Sequence, residues 1–516
     1  MVLILVACQQ PTREKNLHAN GPADTATAPQ IELHFDESGL QKIIESQRYP
    51  DTIAERLKSF YQGRNYQYAW FTNEGLAEQA TNFWNAQSNY ISYTRDSGLF
   101  NAPLQQIMDT LDTGLKIDSS QLLNTEIGLS VQFFRYARRA YQGKIRLGEH
   151  DLDWYIPRKR IDVTSLLDSL ISNKGKNLDS YEPVNAQYRL LKEKLLSYYK
   201  LSENGKWQTI NLPAKKLNVG DSTGVIVTIK KKLMELGDLE SSDSTPIFDE
   251  QLINAIKNFQ LRYGLNADGV IGGATLRYLN DSLQMRIKQI LVNMERMRWI
   301  PVEPKGDFIL VNIPQFRLIA YENGKRAFAM NIVAGSSQHQ TVIFTGDLKY
   351  VVFSPYWNVP PSIIQNEIIP GMKRDPRYLA KHNMEWNKGA VRQKPGRNNS
   401  LGRVKFLFPN NYNIYLHDTP AKSLFNEEKR AFSHGCIRLA EPKKLAIWLL
   451  RNQPVWTSEK IGHAMNAGKE KFVTLTSTVP VFLGYFTAWV DENGKLNFRD
   501  DIYGHDKKLA DRIFAE

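Results

Sequence analysis

Cysteine is nearly absent: the 516 residues contain two, Cys8 and Cys436, far apart in the chain. That excludes a disulfide framework and any multi-cysteine zinc site, so each cysteine needs its own account. Long apolar runs are lacking too, and no stretch approaches the roughly 18 apolar residues of a membrane span. There is no P-loop, no H-E-x-x-H and no G-x-G-x-x-G opening a helix after a strand, so no nucleotide, transition metal or other cofactor is expected. Charge of one sign is not segregated either: 66 Lys and Arg are scattered among 54 Asp and Glu, for a net +12. This favours an anionic polymer or surface in general, or merely a basic solvated exterior, and nothing specifies nucleic acid. What is present, 42% hydrophobic and 11% aromatic residues, excludes wholesale disorder. Length alone suggests about three or four domains.

The chain opens with the apolar stretch Val2 to Ala7, followed by Cys8 and polar Gln9-Gln10-Pro11. Leu5-Val6-Ala7-Cys8 resembles a bacterial lipobox, in which the cysteine after a small residue is lipidated, although no basic segment precedes it. On that reading residues 1–8 are the end of a lipoprotein signal and 9–30 a flexible tether. Residues 31–205 read as a helical scaffold. Ile53, Leu57, Phe60 and Tyr61, and likewise Leu104, Ile107, Met108 and Leu111, recur at helical spacing on one face. No convergent polar constellation is legible there.

A compact unit follows over 214–281. It carries Phe248-Asp249, an amphipathic run (Leu252, Ile256, Phe259), Gln260, Gly264-Leu265, Asp268-Gly269-Val270-Ile271-Gly272 and Thr275-Leu276. Gly264 stands where a helix C-cap belongs and Asp268-Gly269 is a turn signal. The spacing resembles the three-helix peptidoglycan-binding domain type 1. From 282 to 516, after one more amphipathic helix, the period changes to two, and Asn323-Gly324 predicts a tight hairpin. Proline-rich residues 357–411 interrupt this β-rich domain with little strand pattern. Their aromatic and apolar content predicts an ordered lid.

The second cysteine lies in Ser433-His434-Gly435-Cys436-Ile437-Arg438. A thiol attacks as thiolate and needs a base or a positive local field to ionise near neutral pH. Of nine histidines, His434 and His417 are close to it in sequence. A helical pattern follows Cys436; a position near that helix's amino terminus would lower the thiol pKa. Gly435 allows close backbone approach, and amides of successive residues here suit an oxyanion hole. The same residues permit blander readings, an inert buried cysteine or a zinc site of His417, His434 and Cys436, the latter with no visible fourth ligand.

The joint spacing resembles a known family. His417, fifteen residues, then Ser433-His434-Gly435-Cys436 matches the signature of YkuD-type L,D-transpeptidases, bacterial cell-wall enzymes. Arg392 to Gly396, Asn399 to Arg403, Tyr415 to Pro420, Phe486 to Asp491 and Phe498 to Gly504 look like the large YcbB subgroup. The resemblance implies a multidomain α+β chain: helical scaffold, small three-helix peptidoglycan-binding domain, and β-sandwich catalytic domain with an inserted capping subdomain. It implies that Cys436 is the nucleophile, His417 the general base held by a backbone carbonyl such as that of Asp418, and His434 a group beside the thiol. Amides of Gly435 and Cys436 would form the oxyanion hole, Ser433 would organise the loop, Arg438 would pair with a stem carboxylate, and Tyr415 would wall the pocket. Ser433 and Asp418 count with Arg438 and Tyr415 as substrate-binding candidates.

The implied partners are a donor tetrapeptide stem, an acceptor amine and carbapenem-type inhibitors, with contact to a membrane only through lipidated Cys8. The implied product is a 3→3 cross-link and the implied location the periplasm. Water or a protein as acceptor, and a non-catalytic wall-binding anchor, remain open on the sequence. No metal is expected.

Overall fold

The computed structural model describes residues 32–145, 153–158, 160–176, 185–205, 207–241, 243–300 and 305–515. Cys8 and the tether over 9–30 lie outside the described residues.

The scaffold is helical as its periodicity predicts. Leu57, Phe60, Tyr61, Leu104 and Met108 are buried on the expected faces, while Ile53, Ile107 and Leu111 sit half-buried at their margins. Helix Ser119–Gln142 forms its axis, and it and four of the helices around it start at side-chain caps: Asp36, Asn101, Asp118, Asp162 and Asn185 each accept from a first-turn amide, whereas Asp51–Gly63 and Glu78–Thr94 start without one. One expectation fails. A convergent polar centre does exist, around fully buried Glu126, which accepts from Ala69 N–H (2.6 Å), Trp70 N–H (3.0 Å) and the Tyr61 hydroxyl (2.8 Å). Its partners are scattered along the sequence, so no local pattern announces it.

The peptidoglycan-binding-like unit contains helices Val225–Glu235, Glu250–Arg262 and Gly273–Leu279. Its motif residues are structural. Gln260 Nε2 donates to Asp268 (2.7 Å), and Gln260 Oε1 accepts from Gly269 N–H (2.9 Å). Gly264 ends the second helix at φ +75, as its C-cap position predicts. The unit is bound to the carboxy-terminal domain through Arg262, which pairs with Asp238 and donates to the Leu496 carbonyl, and through Tyr278, which donates to Asp500 (2.8 Å).

Helix Leu283–Trp299 runs between the scaffold and the carboxy-terminal β-rich domain and is buried on nearly every side. Its polar residues are paired rather than solvated: Arg298 with Glu295 and the Tyr188 hydroxyl, Arg296 with Asp506, Asn293 with Thr487. Buried charge is tolerated only with such partners.

The carboxy-terminal sheet is built from β1 (Phe308–Asn312), β2 (Arg317–Glu322), β3 (Lys325–Gly335), β4 (Thr345–Phe353), β5 (Val404–Leu407), β6 (Leu416–His417), β7 (Ala431–Ser433), β8 (Ile437–Leu439) and β9 (Lys471–Gly484). Spatial order is β7-β3-β8-β6-β5-β4-β9-β1-β2, and β2 also pairs with β3. The two faces of the sandwich are therefore one continuous sheet, closed by the predicted hairpin. Asn323 and Gly324 both take positive φ there, at 50° and 74°, as a type I′ turn requires. The core of Val311, Leu318, Ile332, Val351, Phe406, Leu416, Ile437 and Val481 fills the interior.

Two corrections concern the insertion. The excursion from the sheet runs over 354–403, not 357–411, because Val404–Leu407 is a strand paired with β4 at Val404↔Phe353. The chain leaves and returns at one point, tied by Ser354 N–H to the Arg403 carbonyl (2.8 Å). The excursion holds a three-stranded sheet (Trp357–Asn358, Met384–Asn387, Ala390–Gln393) and its own small core of Val359, Ile368 and Val391. It is an ordered subdomain, as its composition predicts. Just after it, the run Asn413-Ile414-Tyr415-Leu416-His417 reads as a single strand in the sequence, but only Leu416–His417 pairs, since Asn413 turns at φ +55.

Candidate active site

Parallel pairing of β6 with β8 sets Leu416 opposite Ile437 and His417 opposite Arg438. Antiparallel pairing of β5 with β6 sets Lys405 opposite His417. Side chains alternate across a strand, so Tyr415, His417, Cys436, Arg438 and Lys405 share one face. The sequence-predicted thiol, imidazole, phenol and guanidinium are thus brought together by three neighbouring strands.

His417 is buried, and its Nδ1 lies 2.5 Å from the Asp418 carbonyl oxygen. A carbonyl only accepts, so Nδ1 carries the proton and Nε2 presents its lone pair. Burial, then the Arg438 guanidinium, push the His417 pKa down to about 4, with the Asp418 carbonyl opposing. At neutral pH the ring is therefore a neutral base of defined tautomer.

Cys436 departs from expectation. The helix that follows begins only at Pro442, with strand β8 in between, so no helix terminus reaches the sulfur. Burial raises the thiol pKa, while the backbone N–H and hydroxyl of Tyr415 and the charge of Arg438 pull it down less strongly. The resting group is a thiol, and Sγ–H donates to the Asn413 carbonyl at 3.5 Å. Tyr415 is thus more than a wall, since its hydroxyl is hydrogen-bonded to the sulfur.

Arg438 is half-buried, and among the described residues its Nε has no hydrogen-bond partner. A desolvated guanidinium without a counter-ion, on the same face as the nucleophile, is suited to an anionic ligand group. Ser433 and Asp418, substrate-binding candidates from the sequence, hold loops in the structure. The Ser433 hydroxyl donates to the Cys436 carbonyl (2.5 Å) and accepts from Gly435 N–H (3.2 Å). The Asp418 carboxylate accepts from Arg403 N–H (2.9 Å), Thr419 N–H (2.7 Å) and Lys422 Nζ (2.6 Å). Both side chains are fully engaged in holding loops. The Gly435 amide, donating to Ser433, is likewise unavailable to an oxyanion, which leaves that of Cys436.

His434 is half-exposed. It stacks on His339 at 4.7 Å between centroids, and its Nε2 lies 3.8 Å from Glu367 of the inserted subdomain. The insertion therefore reaches the rim of the cleft, with Glu367 on a π-helical turn over Ile364–Ile368. Sequence reasoning missed Glu367, Lys405 and Thr341, the last of which donates from Oγ1 to the Gly435 carbonyl at 2.8 Å. The alternation Val404-Lys405-Phe406-Leu407 was the available signal for Lys405; the other two had none. Among the described residues no group of three His, Cys, Asp or Glu is placed to hold a metal ion.

Comparison with known proteins finds three domain families along the chain. The YkuD family of L,D-transpeptidase catalytic domains matches residues 306–457, a scaffold-domain family matches 55–195, and the PG_binding_1 family of peptidoglycan-binding domains matches 223–279. A Haemophilus influenzae protein named as an L,D-transpeptidase is 35% identical over 243 residues, 43% of this chain and 49% of that protein. The chain thus spans about half the length of this curated relative. Among solved structures, the Stackebrandtia nassauensis L,D-transpeptidase is 17% identical, at a TM-score of 0.23 over 53% of this chain and 98% of that one. L,D-transpeptidase 3 of Mycobacterium tuberculosis, with a faropenem-derived adduct, is 12% identical at a TM-score of 0.19 over 36% and 62%. Structural likeness this weak carries no argument. The family matches establish that the chain carries a YkuD L,D-transpeptidase catalytic domain beside a peptidoglycan-binding domain.

Proposed function

We propose that the protein is a peptidoglycan L,D-transpeptidase that works through a Cys436 thioester and forms 3→3 cross-links between stems. The observation that carries this reading is the convergence on β6 and β8 of a thiol, a neutral imidazole fixed by its Nδ1 proton, and a half-buried guanidinium with an unpartnered nitrogen.

The chemistry follows from those groups. His417 Nε2 takes the Sγ proton as Sγ attacks the carbonyl of the third stem residue. The C–S bond forms, negative charge collects on the carbonyl oxygen, and the Cys436 amide is available to it. The intermediate collapses as the bond to the terminal D-alanine nitrogen breaks, and the imidazolium returns the proton to that nitrogen. The acceptor amine then attacks the thioester and loses its proton through His417, and the thiol is regenerated. With the imidazole neutral and the resting sulfur a thiol, ionisation is coupled to attack instead of standing as a resting thiolate. Arg438 holds a stem carboxylate beside the reacting carbon, and the inserted subdomain covers the bound stem.

The substrate places the enzyme at the cell envelope, in the periplasm, where lipidated Cys8 would anchor it. A single free thiol after lipidation has no intramolecular partner for oxidation. The YcbB-like subgroup fits the order of scaffold, binding domain, inserted cap and catalytic strands.

The test is intact-protein mass after mixing wild type and Cys436→Ala with a carbapenem. One adduct on wild type and none on the variant is the expected outcome. Alkylation of Cys436 without acylation would overturn the proposal. Incubation with purified muropeptides, with and without acceptor stems, reads the acceptor from the products: a cross-linked dimer supports the transferase, and trimmed stems alone point to hydrolysis.

A further inference from the structure

The loop that carries Cys436 is held from behind by two residues on distant parts of the chain. Thr341 is 1% exposed. Its Oγ1 donates to the Gly435 carbonyl (2.8 Å) and accepts from Gly335 N–H (2.9 Å). Thr341 N–H donates to the Tyr503 hydroxyl (3.3 Å), which in turn donates to the Gly335 carbonyl (2.6 Å). Each hydroxyl gives one hydrogen bond and takes one, so neither has a free rotor position. Tyr503 is itself fixed, its N–H donating to the Tyr485 hydroxyl (3.0 Å), which donates to Asp501 (2.6 Å). The turn at Gly335 admits no side chain, since a Cβ there would meet the His339 carbonyl oxygen at 2.1 Å.

This anchoring has a consequence for the Gly435–Cys436 peptide. A trans peptide is planar, with C=O and N–H pointing in opposite directions. The Gly435 carbonyl is turned inward onto buried Thr341, so the Cys436 N–H is turned outward, on the cleft side. Among the described residues that N–H has no acceptor. Gly435 can present its carbonyl this way because its φ is +105, a conformation side chains rarely adopt.

We propose that Thr341, set by Gly335 and Tyr503, is the positioning residue that aims the Cys436 amide at the developing oxyanion. The inference rests on the acyl-transfer reading above. It assigns a role to a hydroxyl that never touches substrate and to a tyrosine near the carboxyl terminus.

The test compares two reactions of one sulfur. Acylation by a carbapenem passes through an oxyanion; alkylation by iodoacetamide displaces iodide at a saturated carbon and does not. Thr341→Val, near in shape but without the hydroxyl, is expected to slow acylation by about 10- to 100-fold while alkylation stays within about 3-fold. Thr341→Ser keeps the hydroxyl and is expected to restore acylation to within about 3-fold of wild type, and Tyr503→Phe to slow it by about 3- to 10-fold. Unchanged acylation in Thr341→Val would overturn the proposal. So would acylation and alkylation falling together with no rescue by serine, the mark of a merely misfolded loop. Should Thr341→Val not fold, Tyr503→Phe decides: selective slowing of acylation supports the proposal, and equal slowing of both reactions overturns it. A wild type that is alkylated yet never acylated would instead remove the function reading, and this inference with it.

Discussion

Glu126 in the scaffold and the His417–Cys436–Arg438 group in the catalytic domain are both buried polar centres, and they are built in opposite ways. Both carboxyl oxygens of Glu126 are bonded: two backbone amides and a phenol converge on them, and Ser130 ties Tyr61 (2.7 Å) to the Trp70 indole (2.9 Å). In the catalytic group the filling stops short. Among the described residues Arg438 Nε has no partner and the Cys436 amide has no acceptor, while the thiol's own proton has only a long contact to a carbonyl. A satisfied buried group fixes structure, whereas one left unsatisfied on a cleft face keeps its bonding capacity for a ligand. The contrast predicts that substitutions at the two centres act on different observables.

The largest effect should come from the two deletions at their hearts. Cys436→Ala abolishes acylation and leaves thermal stability within about 1 kcal/mol of wild type, since it removes one small, partly exposed group. Glu126→Ala strands two amides and a phenol, and should cost the scaffold about 2–4 kcal/mol, while the acylation rate per folded molecule is unchanged. Paired denaturation and mass-spectrometric assays measure both. Loss of acylation in folded Glu126→Ala would break the comparison.

Next in size is pH dependence, where the two centres work with opposite sign. The His417 pKa is depressed from 6.5 to about 4, so the unfolded chain binds a proton that the folded one refuses. Its contribution is complete above pH 6.5 and is lost as pH falls towards 4, up to roughly 3 kcal/mol. His505, also pushed down to about 4 by burial, adds to the same acid limb. The Glu126 pKa is raised by burial from 4.5 to about 7, so its contribution is present below 4.5 and lost as pH rises through 7, by a similar amount. Denaturant midpoints from pH 4 to 8 should show Glu126→Gln flattening the neutral limb and His417→Gln flattening part of the acid limb. Both limbs surviving in both variants would assign the titrations elsewhere.

How much of this was legible in the sequence follows the same division. Cys436, His417 and Arg438 fall within a few tens of residues, and the chemistry of a nucleophile and its base constrains residue type and spacing together. Glu126 and Thr341 take their partners from distant segments, so only the folded chain assembles them. Strand β9, at the middle of the sheet, went unread because Pro480 and a register shift between Thr474 and Val479 break its alternation. The alternation of strand β5, four residues close behind a proline-rich stretch, is too short to stand out. A helix terminus would lower the thiol pKa only if it lay beside Cys436; the helix begins at Pro442, and the three residues of β8 in between remove its terminus from the sulfur.

A smaller effect is expected at Arg438. Replacing it with Gln removes the half-buried cation and its unpaired Nε, so binding of a carboxylate-bearing donor should weaken by about 10- to 100-fold. Stability should hold or rise slightly, because a desolvated charge without a counter-ion is a cost to the fold. A KM increase at nearly constant kcat, with no loss in Tm, sharpens the comparison. A large Tm loss would mean that Arg438 is structural.

The smallest effect concerns the rim, where His434 meets Glu367 of the inserted subdomain at 3.8 Å with both side chains about half-exposed. That distance exceeds a hydrogen bond, and an exposed ion pair is worth about 0–1 kcal/mol and is screened by salt. Glu367→Gln should therefore change the acylation rate by no more than about 3-fold, and the difference should shrink as ionic strength rises. His339, stacked on the far face of His434, keeps the ring in place without the carboxylate, so the imidazole should remain where it is in the variant. An effect above about 10-fold that persists in high salt would make this exposed contact a latch on the cap. Function would then depend on a solvated pair as strongly as on the unsatisfied groups beneath it, and the line drawn between the two buried centres would no longer separate structure from activity.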